Sequence, residues 1–280
     1  MVESKELELD LAPEYYRPFL KIARSVFDDT VYDVVCSALR VAVDLLKGMT
    51  RHDGTPFVTH AINTAIIVIQ EVGLGRNSTV STLLHDVVRL GLMDAEQVGE
   101  RFGKQCVGIL QGLCNISEVD PKVESEQADN FRELIVSYST DPRVILIKLA
   151  DRLEVMRKLD IFPREKRKKK SWESLNLYAQ IAHKLGLYNI KSELEDIALK
   201  YLEPKDYEYI SRRLSETAAE REEFIRAFVK PIEEKMQHLG IKYHLKSRTK
   251  SIYSIWRKMK RMHIGFDEVY DLFAIRIILD

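Results

Sequence analysis

Histidine and aspartate stand side by side at positions 85 and 86, within Ser-Thr-Leu-Leu-His-Asp-Val-Val-Arg-Leu-Gly-Leu-Met (81–93). In an apolar helical run each costs free energy unless it finds a partner. An adjacent His-Asp pair can supply two ligands to one metal ion. His60 and Asp151, each near another apolar helical stretch, complete a set of four possible ligands. Imidazole nitrogen and carboxylate oxygen together suit a borderline divalent ion such as manganese, iron or zinc.

The elements that must carry these residues are helices. "VYDVVCSALRVAVDLLKGM" (31–49) repeats apolar residues every three or four positions, as a helix with one buried face does. Asp29 or Thr30 is its expected cap. "HAINTAIIVIQEVGL" (60–74), "STVSTLLHDVVRLGLM" (78–93) and "DAEQVGERFGKQCVGILQGLC" (94–114) continue in the same style, with short Gly- or Asn-containing breaks between them. "EVDPKVESEQ" (118–127) reads as an exposed loop, followed by "DNFRELIVSYST" and "DPRVILIKLADRLEVMRKLD" (141–160). Pro142 suits the first turn of the last helix. Residues 1–160 are therefore expected to form an all-helical domain.

Residues 161–239 read as a helical connector, with a basic run, "PREKRKKKSWES" (163–174), and a long charged helix over roughly 206–239. The run "REKRKKK" (164–170) reads as a solvated face; contact with RNA or another subunit is its other use. After Gly240 the texture changes. "IKYHLKSR" alternates like a strand, "SIYSIWRKMKRM" is a short basic helix and "DLFAIRIIL" is a buried-type strand. Residues 240–280 thus open an α+β domain. Two strands and one helix cannot bury a core, so that domain is expected to be cut short. The expected fold class is mostly α.

Composition narrows the function classes. The 280 residues carry 45% hydrophobic and 31% charged side chains, a soluble globular balance. Lys+Arg and Asp+Glu both number 43, so any attraction to nucleic acid has to be local. No basic-apolar leader is visible, and no apolar run reaches the roughly 18–20 residues that span a bilayer. Cys36, Cys106 and Cys114 show no C-x-x-C spacing and read as reduced, buried thiols. A cytoplasmic location without membrane partners is expected.

The ligand order His60…His85-Asp86…Asp151 resembles that of the HD phosphohydrolase superfamily. "RHDGTPFVTH" (51–60) is similar to the RxxGEPYxxH opening of its RelA/SpoT branch, the (p)ppGpp synthetase–hydrolases. "DPRVILIKLADRLEVMRKL" (141–159) is similar to that branch's closing ligand helix. "QADN" (127–130), "LYAQIAHKLGLYNIKSELEDIALKYL" (177–202) and "SRTKSIYSIWRKM" (247–259) extend the likeness over almost the whole chain. The resemblance implies an HD domain that binds Mn²⁺ and removes pyrophosphate from the 3′ position of (p)ppGpp. It implies a following domain that transfers pyrophosphate from ATP to GDP or GTP. His60 alone would read as a satisfied core histidine; the four ligands in this family context carry the metal reading. Arg51 matches an arginine that packs on the guanine base, and its other reading is a helix-end surface arginine.

Two departures bear on catalysis. Active relatives continue the pair as HDVVEDT, where this chain has Arg89 and Leu90. Positions three and four beyond Asp86 share its helical face, so the missing Glu-Asp pair would have faced the metal and its water. Leucine exchanges no proton, and arginine stays protonated and accepts none. Active relatives also carry His-Asn where this chain has Glu154 and Val155, and the family's asparagine contacts the nucleotide. No catalytic group is therefore expected intact in the HD domain.

The helix at 251–262 and its approach carry Arg248, Lys250, Arg257, Lys258, Lys260 and Arg261. An RNA-binding helix with Tyr253 and Trp256 interleaved, or a solvated basic face, are two uses of such density. Cations gathered beside a carboxylate for nucleotide phosphoryl chemistry fit better. The resemblance assigns Arg248, Lys250 and Lys258 to ATP and Asp271 to Mg²⁺. The family's second acidic residue and guanine-stacking loop lie beyond this chain. The expectation is the N-terminal region of a GTP pyrophosphokinase whose HD domain is impaired and regulatory. The fragment itself should be inactive as a synthetase and weak or inactive as a hydrolase. Guanine nucleotides and ATP are the expected ligands, with ribosome or tRNA contact through an absent C-terminal region. The alternatives are a live Mn-dependent (p)ppGpp hydrolase and a non-catalytic nucleotide sensor.

Overall fold

A computed structural model describes residues 8–118 and 141–279. The expectations for 119–140, which include most of the loop at 118–127, "QADN" and "DNFRELIVSYST", lie outside the described residues. The chain divides into two compact units, Met1–Leu194 and Glu195–Asp280.

The first unit is helical, as its periodicity implied. Its described helices are α1 (Pro13–Val26), α2 (Asp29–Leu45), α3 (Val58–Ile67), α4 (Arg76–Arg89), α5 (Ala95–Phe102), α6 (Gln105–Glu118), α7 (Pro142–Arg157), α8 (Arg164–Glu173) and α9 (Ala179–Lys184). α4 is the innermost: every residue from Ser78 to Val87 is buried. Leu83 and Leu84 join Phe19, Leu39 and Ile62 in the core. Its two buried threonine hydroxyls at 79 and 82 bond backward along the helix, Thr79 to the Gly75 carbonyl at 3.2 Å and Thr82 to the Ser78 carbonyl at 2.7 Å. α4 packs on α2, α3 and α6, and α3 also packs on α7. The ligand-bearing helices α3, α4 and α7 are therefore neighbours.

Local chemistry sets the boundaries. Asp28, one residue ahead of the expected caps, accepts from the Val31 N–H at 2.9 Å and starts α2. Asp141 caps α7, with Pro142 in its first turn. The stretch 94–114 is two helices, because Gly103 adopts φ +114° between α5 and α6. A π-helical turn, Val68–Val72, continues α3 and ends at Gly73 with φ +77°. A second π-turn, Ser174–Tyr178, links α8 to α9.

α10 (Tyr188–Leu202) contains the division between the units. The second unit continues with α11 (Pro204–Glu216), α12 (Ala218–His238), β1 (Tyr243–Thr249), α13 (Ile252–Met262) and β2 (Phe273–Leu279). The long helix expected over 206–239 is broken at Thr217, whose hydroxyl bonds back to the Arg213 carbonyl at 2.9 Å. β1 and β2 pair antiparallel, from Tyr243 opposite Leu279 to Thr249 opposite Phe273. Ile210, Ile255, Phe266 and Val269 form a small buried cluster.

Candidate metal centre and nucleotide pocket

The fold brings His60 on α3 together with His85 and Asp86 on α4. One ligand atom from each lies within 4.8 Å of the others. Asp151 on α7 joins them, its Oδ1 3.0 Å from His60 Nε2. Each histidine has one ring nitrogen already committed. His85 Nδ1 stands 2.6 Å from the Thr82 carbonyl, which only accepts, so Nδ1 carries the proton and Nε2 faces Asp86 Oδ2 at 3.5 Å. His60 Nδ1 donates to Glu154 Oε2 at 2.6 Å, which turns Nε2 toward Asp151. Tying one imidazole nitrogen to an acceptor is how proteins aim the other at a metal.

The carboxylates are held by cations of their own helices. Arg89 gives two hydrogen bonds to Asp86 Oδ1, from Nε at 2.9 Å and Nη2 at 2.6 Å. Lys148 reaches Asp151 Oδ2 at 2.9 Å. Asp86 Oδ2 is buried and accepts no hydrogen bond from the protein, which is a costly state for a carboxylate oxygen. A divalent cation would satisfy it, and the atoms around it are N and O donors. The residues present therefore fit such an ion.

Burial raises a carboxyl pKa, yet His85, His60 and Arg89 outweigh it and keep Asp86 below the usual range. Asp151 is held well below it, burial again being overcome, by Lys148 and then His60. For His60, burial favours the neutral ring, but Asp151 and Glu154 on its two nitrogens push its pKa up to about 10.

Above this cluster opens a cavity of about 750 Å³, within the size range of small-molecule pockets. Seven basic side chains line it: Arg51, Arg89, Lys148, Arg152, Lys166, Lys169 and Lys170. Asp86, Asp151 and Glu173 supply the opposite charge among the lining residues. Phe57, Phe162 and Tyr178 add aromatic surface, and Arg152 lies over the Tyr178 ring at 4.2 Å. Three of the lysines come from the run "REKRKKK", so that helix does not present a wholly solvated face. Their spacing, i, i+3 and i+4, was the signal for a shared surface. Arg152, Tyr178 and Glu173 had no such signal. Among the described residues, no helix is long and apolar enough to cross a membrane.

Residues 38–188 match the family model of the HD domain, and residues 247–280 match the region found in RelA / SpoT proteins. The chain belongs to the RelA/SpoT family. It is 38% identical over 231 residues to the guanosine-3′,5′-bis(diphosphate) 3′-pyrophosphohydrolase of Aquifex aeolicus, covering 82% of this chain and 33% of that one. It is 33% identical over 273 residues to the GTP pyrophosphokinase of Myxococcus xanthus, covering 96% and 36%. Against the bifunctional (p)ppGpp synthase/hydrolase SpoT of Escherichia coli K12 the identity is 34% over 244 residues, covering 87% and 35%. The chain spans about a third of the length of these curated relatives.

The positions singled out by the resemblance to the RelA/SpoT family fall differently. Arg89 lies in the pocket wall and bonds Asp86. Leu90 sits at the end of α4, 42% exposed and outside the cavity lining. Val155 lines the cavity. Arg51 also lines it, but its guanidinium is bound to Glu154 at 2.6 and 3.2 Å and its side chain is 8% exposed. In the second unit, Lys250 and Lys258 both reach Asp271, at 2.6 and 2.5 Å, and pull its pKa down to about 2. Arg248 lies on β1 opposite Ala274.

Proposed function

We propose that the chain is the N-terminal part of a stringent-response enzyme, a GTP pyrophosphokinase by its second domain. Its HD domain binds a guanosine polyphosphate next to a divalent ion without cleaving it efficiently. The proposed domains are HD at 1–160, a connector at 161–239 whose first helices line the HD cavity, and the opening of the synthetase at 240–280. His60, His85, Asp86 and Asp151 would hold the ion, with Mn²⁺ the expected one. When bound, such an ion polarises a phosphoryl oxygen and acidifies a water. The remaining work falls to side chains. The lysines and arginines of the wall attract and orient phosphate groups. Proton transfer has no carrier at position 89, because a guanidinium stays protonated and accepts no hydrogen bond. Position 90, expected to face the metal, lies outside the cavity, and Val155 in its wall cannot replace an amide contact to the nucleotide. In the second domain, Lys250, Lys258 and Arg248 would face ATP phosphates, and Asp271 would anchor Mg²⁺.

The observation that carries this reading is the double hydrogen bond from Arg89 to Asp86, in the place where active relatives have an acid. The test is one incubation of the chain with Mn²⁺ and ppGpp, with binding measured by calorimetry and pyrophosphate release by ion-exchange chromatography. Micromolar binding without release supports the reading. Release at the rate of an HDVVEDT relative overturns it in favour of a live hydrolase, and neither binding nor release leaves only a structural remnant. Arg89→Glu with Leu90→Asp should restore little turnover, whereas adding Val155→Asn should restore more.

A further inference from the structure

Glu154 is 2% exposed and does not line the cavity, so it has no access to a ligand. Its carboxylate instead joins two side chains. Oε2 accepts His60 Nδ1–H at 2.6 Å and Arg51 Nη2–H at 3.2 Å, and Oε1 accepts Arg51 Nη1–H at 2.6 Å. The reach is long in sequence, 94 residues to His60 and 103 to Arg51. An imidazole tied at Nδ1 to a fixed acceptor has one orientation left, and here that orientation aims Nε2 at Asp151. The Thr82 carbonyl does the same for His85, so both histidines present Nε2 to the same space. A buried carboxylate needs compensation to stay charged and in place, and Arg51 supplies it with a two-point grip.

We infer that Glu154 is a positioning residue for the metal centre, fixing the ring of His60 so that Nε2 faces the ion, with Arg51 serving as the strut that holds Glu154. Arg51, buried and gripped at both terminal nitrogens, thereby supports the centre from the cavity wall. This rests on the metal reading above, and the test separates the two.

The first readout needs no metal: the Nδ1–H proton of His60 in the metal-free chain, observed by NMR. A short bond to a carboxylate gives a downfield, slowly exchanging resonance. It should vanish in Glu154→Ala, move upfield in Glu154→Gln, which keeps an acceptor oxygen, and broaden with faster exchange in Arg51→Ala, which removes the strut. The second readout is Mn²⁺ affinity by calorimetry. Glu154→Ala should weaken it about 10–100-fold, the usual effect of removing the acceptor behind a metal-binding histidine; Glu154→Gln should weaken it less. A purely structural role would not grade the two variants in this way. If Glu154→Ala fails to fold, Glu154→Gln carries the test. An upfield resonance and weaker Mn²⁺ binding support the inference, and parent-like values of both overturn it. If the parent chain binds no Mn²⁺, the metal reading falls, and the resonance alone decides whether Glu154 sets the His60 ring.

Discussion

Asp86 and Asp271 are each pinned by cations, under opposite conditions. Asp86 is 3% exposed as a side chain and Arg89 grips it from one turn away. Asp271 is 55% exposed, with Lys250 and Lys258 on its two oxygens. The geometry is similar, but the energetics are not. Breaking a buried pair strands a desolvated charge, whereas water screens the exposed pairs and each is worth about 0–1 kcal/mol. Asp86 also keeps an oxygen, Oδ2, that accepts no hydrogen bond from the protein, while both oxygens of Asp271 are engaged. The buried site thus has a carboxylate oxygen left over, and the exposed one holds its own charges in register.

The largest effect expected from this contrast is at Asp86. Asp86→Asn keeps the shape but removes the charge, and Mn²⁺ binding should become undetectable at concentrations that saturate the parent chain. Calorimetry or Mn²⁺ electron spin resonance measures it. Parent-like binding would place the ion elsewhere.

The next effect runs the other way. Arg89→Ala frees Asp86 Oδ1 and strands a desolvated carboxylate that a divalent ion can neutralise, so Mn²⁺ should bind on the order of tenfold tighter. Weaker binding would show that Arg89 supports the ligand set instead of competing for it.

Asp271→Asn should change unfolding free energy in urea by less than about 1 kcal/mol, because its partners are solvated. A larger loss would mean that this cluster organises the second unit.

The smallest effect concerns acid. Trp256 Nε1–H, at 2.8 Å, and Lys260 hold the Asp206 carboxyl below its ordinary pKa. A lowered folded pKa stabilises the fold above the unfolded value, about 3.9, and the contribution fades as pH falls through the folded value. Asp206→Asn should therefore lower stability slightly at pH 7 and not at pH 2, as followed by thermal unfolding at the two pH values. Equal losses at both would mean that Asp206 acts by packing alone.

Residue type and helical period carried much of this architecture. The apolar repeat placed the helices, and the His-Asp pair marked the centre because a buried run tolerates such residues only with partners. What the sequence hid depends on long reach or on a single backbone angle. Glu154 stands out in the sequence only as a departure from the family's His-Asn, and its partners His60 and Arg51 arrive from about a hundred positions away. Gly103 and Thr217 break stretches whose apolar spacing continues across them. Asp28 took the cap from Asp29 and Thr30 because neighbouring residues offer the same oxygen and the backbone chooses among them. The basic run looked solvated because its charge density outweighed its i, i+3, i+4 spacing, and the cavity shows the spacing mattered.

The proposed function requires the buried His/Asp cluster to take up a divalent ion despite the arginine on Asp86. Its most direct test is a Mn²⁺ titration of the whole chain, followed by electron spin resonance of the free ion. One site per chain, lost in His85→Ala, is the expected result. Free Mn²⁺ rising from the first addition, with no difference between the parent and His85→Ala, would contradict it.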